Sequence, residues 1–151
     1  IQAYGDDNII TVNPNESRIT MHSLTQSFSD IGLVYTDELK GTAMIENRTI
    51  HDVSFLKRSF IFNPMYKRFF APLPIQVIYE MLYWMSNSST DITFQQVIQM
   101  ALLELSLLGP QIFNEVAPKI IAGSVKEYSY YPLCASYDQC FNAVSNLDNF
   151  Y

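Results

Sequence analysis

The sequence predicts an α+β chain in two parts, and three observations carry that reading. Residues 1–70 alternate β-prone runs with turn signals around one helical stretch, from about residue 71 apolar residues recur at spacings of three and four, and Pro, Gly and Ser divide this second part into separate helices. The expected units are therefore 1–70, hairpins plus a helix, and 71–151, helical. At 151 residues and 48% hydrophobic the chain can bury a real core, which excludes a disordered polypeptide.

The first element is "IQAYGDDNIITV", residues 1–12. A strand carrying Ile1 and Ala3, a Gly-led turn and a second strand carrying Ile9, Ile10 and Val12 form a tight hairpin with Asp6 and Asp7 at its tip. Two like charges there repel each other and gain no packing, so the tip either faces solvent or meets a cation. Ile1 opens in the middle of a strand pattern, with no Met, basic lead or signal-like segment, and sequence is expected upstream.

"NPNES" (13–17) is a turn and helix-start cluster, and Met21, Leu24, Phe28 and Ile31 then share one helical face that Gly32 closes. "LVYT" (33–36) reads as a strand, "DELKG" as a turn and "AMI" (43–45) as a short extended piece. "HDVSFLKRSFIF" (51–62), rich in β-branched and aromatic residues, predicts a second hairpin or bent strand pair. "APLP" ends the extended region, with Pro74 as first helical residue and Ile75, Ile78, Leu82 and Met85 on one face. "NSST" (87–90) is a loop, a long helix runs from about 91 to Gly109, and Pro110 opens another that stops near Gly123. The tail, with Tyr128, Tyr130, Tyr131 and Tyr137, holds one more short helix.

The longest apolar stretch, "MALLELSLL" (100–108), is interrupted by Glu104 and falls well short of the roughly 18 residues of a membrane span. Cys134 and Cys140 are the only cysteines, with no His nearby to complete a zinc set, so free thiols are expected and a disulfide between them is the alternative. His22 and His51 have no nucleophile beside them and read as structural or solvated. A net charge of −6 argues against a nucleic-acid binder until its distribution is considered. Residues 1–70 carry −1 and residues 71–151 carry −5, while between 48 and 68 five basic residues face a single acid, Asp52. That stretch is a local basic element.

"YGDDN" (4–8), "GLVYTDELK" (32–40) and "VSFLKRSF" (53–60) together resemble, in order and spacing, the C, D and E elements of RNA-dependent RNA polymerases of picornavirus-like positive-strand RNA viruses. The wording of "YTDELK" and of "IYEMLYW" (78–84) is most similar to the dicistrovirus branch, and the resemblance extends to about residue 120. A lone GDD is a weak signal, since any hairpin with two solvated aspartates carries it. Three motifs in register are much more specific.

The resemblance implies a C-terminal fragment of such an enzyme, with 1–70 as lower palm and 71–151 as helical thumb, and nucleotidyl transfer in viral RNA synthesis as its activity. It implies Mg²⁺ (or Mn²⁺) as cofactor, with Asp6 as principal metal ligand and Asp7 as a more loosely engaged second carboxylate. Lys40 corresponds to a lysine that protonates the pyrophosphate leaving group. Lys57 and Arg58 fall in the element that grips the primer backbone, where a period of two puts Phe55 and Lys57 on one strand face and Leu56 and Arg58 on the other. Lys67 and Arg68 extend this basic surface, and Trp84 in the thumb reads as packing.

The implied partners are RNA template and primer, ribonucleoside triphosphates, and the upstream fingers and palm of the same polyprotein. The implied location is the host-cell cytoplasm, in membrane-associated replication complexes. The family's remaining metal-binding carboxylate lies upstream of Ile1, so the 151 residues are expected to be inactive alone. Another palm polymerase such as a reverse transcriptase is the nearer alternative, and a non-catalytic helical interaction module the more distant one.

Overall fold

Thr20 starts the first helix by a reciprocal exchange. Its hydroxyl accepts from the Ser23 N–H (3.0 Å) while the Ser23 hydroxyl accepts from the Thr20 N–H (2.9 Å), a capping box worth about 1 kcal/mol. The computed structural model describes residues 1–13, 15–16, 18–37, 40, 48–83 and 91–146, and the chain separates into two compact units, Ile1–Ile61 and Phe62–Tyr151. The fold class is α+β: among the described residues, five helices and three two-stranded antiparallel sheets.

In the first unit, β1 (Gln2–Tyr4) and β2 (Asp7–Ile9) pair antiparallel, with Tyr4 opposite Asp7, as the alternation predicts. Helix α1 (Met21–Asp30) starts four residues after "NPNES", where Asn13 instead closes a turn of its own by accepting the Glu16 N–H (2.8 Å). Gly32, at φ 80°, ends the helix as predicted. The Leu33 N–H donates to the Phe28 carbonyl and the Gly32 N–H to that of Ser29 (both 2.9 Å), a double-bonded terminus that needs a left-handed residue. Met21, Leu24 and Phe28 are half-buried, whereas Ile31, at the cap, is 70% exposed and leaves the predicted face.

"LVYT" is not a strand. Its residues belong to no strand, no other segment pairs with them among the described residues, and Val34 is 93% exposed. β-propensity describes fit to a neighbouring strand, and without one the run stays irregular. "AMI" and "NSST" lie outside the described residues, as do Trp84 and Met85. Strands β3 (Ser54–Phe55) and β4 (Arg58–Ser59) form the predicted second hairpin, and β3 lies against β2.

The division between the units falls after Ile61, the first residue of β5 (Ile61–Asn63), which pairs with β6 (Arg68–Phe70). Asn63 shapes the intervening turn by accepting the Met65 (3.0 Å) and Tyr66 (3.3 Å) N–H groups on its side chain. Arg68, expected on the basic surface, is half-buried within the second unit. Its guanidinium lies 4.8 Å from the Phe70 ring centroid and donates to the Ser145 carbonyl at the end of a later helix. Tyr66 packs edge-on against Phe70 and Phe141, which are tilted against each other, with centroids 5.4–5.8 Å apart.

The helices are α2 (Ile75–Tyr83), α3 (Asp91–Ser106), α4 (Pro110–Tyr128) and α5 (Tyr137–Ser145). Helix α2 begins one residue after Pro74, whose carbonyl accepts the Val77 and Ile78 N–H groups (2.9 and 3.2 Å) and so caps the helix. Phe94, Ile98, Ala101, Leu102 and Leu105 recur along α3, which packs against α2, α4 and α5 and is therefore buried over a broad arc. They close the core with Ile78, Phe113, Val116, Ala117 and Cys140.

Helix α4 opens at Pro110 as predicted but runs past Gly123 to Tyr128. Gly lowers helix stability by only about 1 kcal/mol, and packing of the surrounding helix overrides it. The real stop is Ser129, at φ 52°, braced by Ser124, whose hydroxyl donates to the Ile121 (3.0 Å) and Tyr130 (2.9 Å) carbonyls. Gln99 then ties the tail to α3 through both backbone groups of Cys134 (3.0 and 3.1 Å).

Both cysteines are free. Burial, with a smaller contribution from the neighbouring Cys134, pushes the Cys140 thiol up to about 12, and its S–H donates to the Cys134 carbonyl (3.3 Å). The folded chain therefore holds this proton over a range where the unfolded chain, titrating near the ordinary thiol value of 9.0, has lost it. Stability from this group is complete below about pH 9 and declines as pH rises from there toward 12. Urea midpoints are expected to fall across that window, and Cys140→Ala, although less stable at pH 7, is expected to fall less steeply.

Candidate functional site

The β1–β2 turn is two residues long, Gly5 and Asp6, and only Gly5 among them has positive φ (62°), the pattern of a type II′ hairpin turn. An L side chain at Gly5 would be strained by the backbone conformation alone, although nothing lies within 4 Å of where its Cβ would stand. Asp6 therefore occupies the tip and Asp7 the first position of β2, and both are exposed. Only Asp6 of the expected pair is therefore a turn residue, and Asp7 follows it as the first residue of the strand.

Asn8, which follows the pair, connects the tip to the rest of its unit. Its Oδ1 accepts from the Tyr35 hydroxyl (2.8 Å), and its Nδ2 reaches back to 3.5 Å from the Asp6 carbonyl oxygen. Tyr35 in turn stacks on Phe28 of α1, centroids 4.7 Å apart and planes within 6°. Sequence reading missed this chain. Its one available signal was a tyrosine inside an apolar run, since a half-buried Tyr hydroxyl usually requires a partner.

Lys40 is exposed and adopts φ 52°, in a turn closed by its own N–H donating to the Asp37 carbonyl (3.0 Å). This hydrogen bond is the part of the predicted "DELKG" turn that is described; Glu38, Leu39 and Gly41 lie outside the described residues. Upstream of β3, the Thr49 N–H (2.9 Å) and hydroxyl (2.7 Å) donate to Asp52 and hold its carboxyl below the usual range, keeping it anionic beside Arg48 and His51. The fork from Arg18 Nε and Nη2 to Glu16 (2.8 and 2.7 Å) holds that exposed carboxyl at about 2, a local pairing of small energetic weight.

The "FLKR" element differs from expectation. Phe55 and Arg58 pair across β3–β4, and Leu56 and Lys57 are the two central residues of the turn, at φ 52° and 63°. The period of two fails because it holds only along a continuous strand, and here the chain reverses. This I′ geometry ordinarily selects Asn-Gly, and two residues with Cβ atoms there cost roughly 1–2 kcal/mol each. The result is an exposed Lys57 at the tip with a half-buried Arg58 behind it on β4. Among the described residues no three His, Cys, Asp or Glu side chains gather into a metal-binding group, and no helix is long and apolar enough to cross a membrane.

A hairpin presenting two exposed carboxylates, a second basic hairpin beside it and a following helical unit have the make-up of a partial polymerase palm and thumb. A family model described as viral RNA-dependent RNA polymerase matches residues 1–124, and the chain belongs to that family. Among curated proteins it is 30% identical over 147 residues, 95% of its length, to the replicase polyprotein of Drosophila C virus (strain EB), and 37% identical over 120 residues, 76% of its length, to that of acute bee paralysis virus (strain Rothamsted). It spans only 8% and 6% of those polyproteins. Among solved structures, the Sicinivirus 3Dpol RNA-dependent RNA polymerase superposes with a TM-score of 0.63 over 86% of this chain and 27% of that one, at 17% identity, a likeness of fold.

Proposed function

We propose that these residues form the lower palm (1–70) and thumb (71–151) of a viral polymerase that adds ribonucleoside monophosphates to an RNA primer on an RNA template and releases pyrophosphate. The observation that carries this reading is the exposed pair of Asp6, at the tip of the hairpin turn, and Asp7, at the start of β2, in a chain of this family. Carboxylate oxygens are the donors that Mg²⁺ or Mn²⁺ prefers, and Mg²⁺ keeps several waters, so the pair fits one side of a metal site. Among the described residues no third carboxylate joins the pair, and in this reading the rest of the polymerase supplies it.

When bound, the ions supply charge stabilisation for in-line displacement at the α-phosphate. Asp6 is the principal ligand and Asp7 the supporting one. Lys40 hands its proton to the leaving pyrophosphate, for which an exposed ammonium on a turn has the needed freedom. Lys57 and Arg58 hold the primer's sugar-phosphate backbone, Lys57 from the tip and Arg58 from the strand. The partners are RNA template and primer, ribonucleoside triphosphates and the upstream fingers and palm of the same polyprotein. The site of action is the host-cell cytoplasm, in membrane-associated replication complexes.

The test is primer extension by the polymerase that carries these residues. Extension with ribonucleotides, abolished by metal chelation and restored by Mg²⁺, is expected. Preferential use of deoxynucleotides would favour a reverse transcriptase, and no metal-dependent synthesis at all would favour an interaction module. The 151 residues alone are expected not to extend a primer.

A further inference from the structure

We infer that Tyr35 is a positioning residue for the Asp6–Asp7 tip, acting through the side chain of Asn8. The inference rests on the polymerase reading above and adds a residue to it. The tip itself has little to hold it, since both aspartates are exposed and the turn is only two residues long. A hairpin of two three-residue strands is marginal by itself, so the direction of its tip depends on what the strands are fastened to.

The fastening is polar at one end and aromatic at the other. Tyr35 donates to Asn8 Oδ1 across 27 residues of sequence (2.8 Å), which fixes which end of the amide faces the turn and turns Nδ2 toward the Asp6 carbonyl. Stacking on Phe28, whose carbonyl also accepts the Leu33 N–H at the end of α1, holds the tyrosine ring in place. The hydroxyl is thus presented by a capped helix rather than by the irregular run 33–37 alone. Loss of the hydroxyl leaves the carboxylates present but less well directed, so a cation binds them more weakly.

One hydrogen bond of this kind corresponds to about a threefold to tenfold change in an equilibrium constant. Tyr35→Phe in the full polymerase is therefore expected to weaken Mn²⁺ binding, measured by calorimetry without RNA or nucleotide, by that factor. The same variant is expected to raise the half-saturating Mg²⁺ concentration for extension while leaving KM for nucleotide unchanged and recovering turnover at saturating metal. Asn8→Ala should do the same, and the double variant should be no worse than either single one, because both remove one link. Asp6→Asn separates the two levels of the reading. If that variant keeps wild-type turnover, the polymerase site itself is wrong. If it loses turnover while Tyr35→Phe binds Mn²⁺ like the wild type, or if the effects of Tyr35→Phe and Asn8→Ala add in full, only the positioning role is overturned. A Tyr35→Phe loss of turnover equal at all metal concentrations also overturns it.

Discussion

Replacing Asp6 by Asn in the polymerase is expected to lower turnover by roughly 10³-fold, because a metal-bound carboxylate supports several kcal/mol of transition-state charge stabilisation. The amide keeps the shape of the side chain but removes its charge and one of its two anionic oxygens. Folding should be unaffected: Asp6 is exposed, and the contact made at this residue is through its backbone carbonyl, which Asn supplies equally. RNA affinity should also be retained, since removing a negative charge takes away no phosphate contact. Asp7→Asn is expected to have the smaller effect, because Asp7 lies one position back, in register with Tyr4. The measurement is single-turnover extension on a primed template with melting temperature in parallel. Rates within threefold of wild type for Asp6→Asn would remove it from the metal site.

Lys40→Met is expected to reduce turnover by about 10²-fold, the lower range for loss of a general acid. Lys40 has left-handed backbone geometry (φ 52°) that Met must also adopt, so part of any loss could be conformational. Lys40→His resolves the two causes. Histidine meets the same backbone demand but offers a proton only below about pH 6.5. If Lys40 donates a proton, the His variant should be faster at pH 6 than at pH 8, its rate falling as pH rises through that value. A His variant with the wild-type pH profile would reduce Lys40 to a turn residue.

Most of the helical unit could be read directly from the chain. Phe94, Ile98, Ala101, Leu102 and Leu105 sit at helical spacing and are all buried, and the Gly109–Pro110 punctuation marks the break between α3 and α4. Such features are local, set by side-chain period and by what Gly and Pro do to the backbone. The same holds for the first hairpin, where Gly5 permits the turn that exposes Asp6. Where local preference competed with packing, sequence reading failed. Gly123 is a plausible stop that the packed α4 overrides, and "LVYT" has strand composition without a strand partner.

Sequence by itself determined that two adjacent carboxylates sit on a hairpin ahead of a basic element and a helical unit, because short-range spacing and turn chemistry need no distant neighbour. Tertiary structure alone decided what each charged group is fastened to. Arg58 is a strand residue opposite Phe55 while Lys57 is a turn residue, and Arg68 is taken up by Phe70 and the carbonyl of Ser145 rather than left on the surface. Asn8 meets Tyr35 across 27 residues. Hydrogen bonds and cation–aromatic contacts act only over a few ångströms, so which groups share them is a property of the folded chain and leaves no period in the sequence.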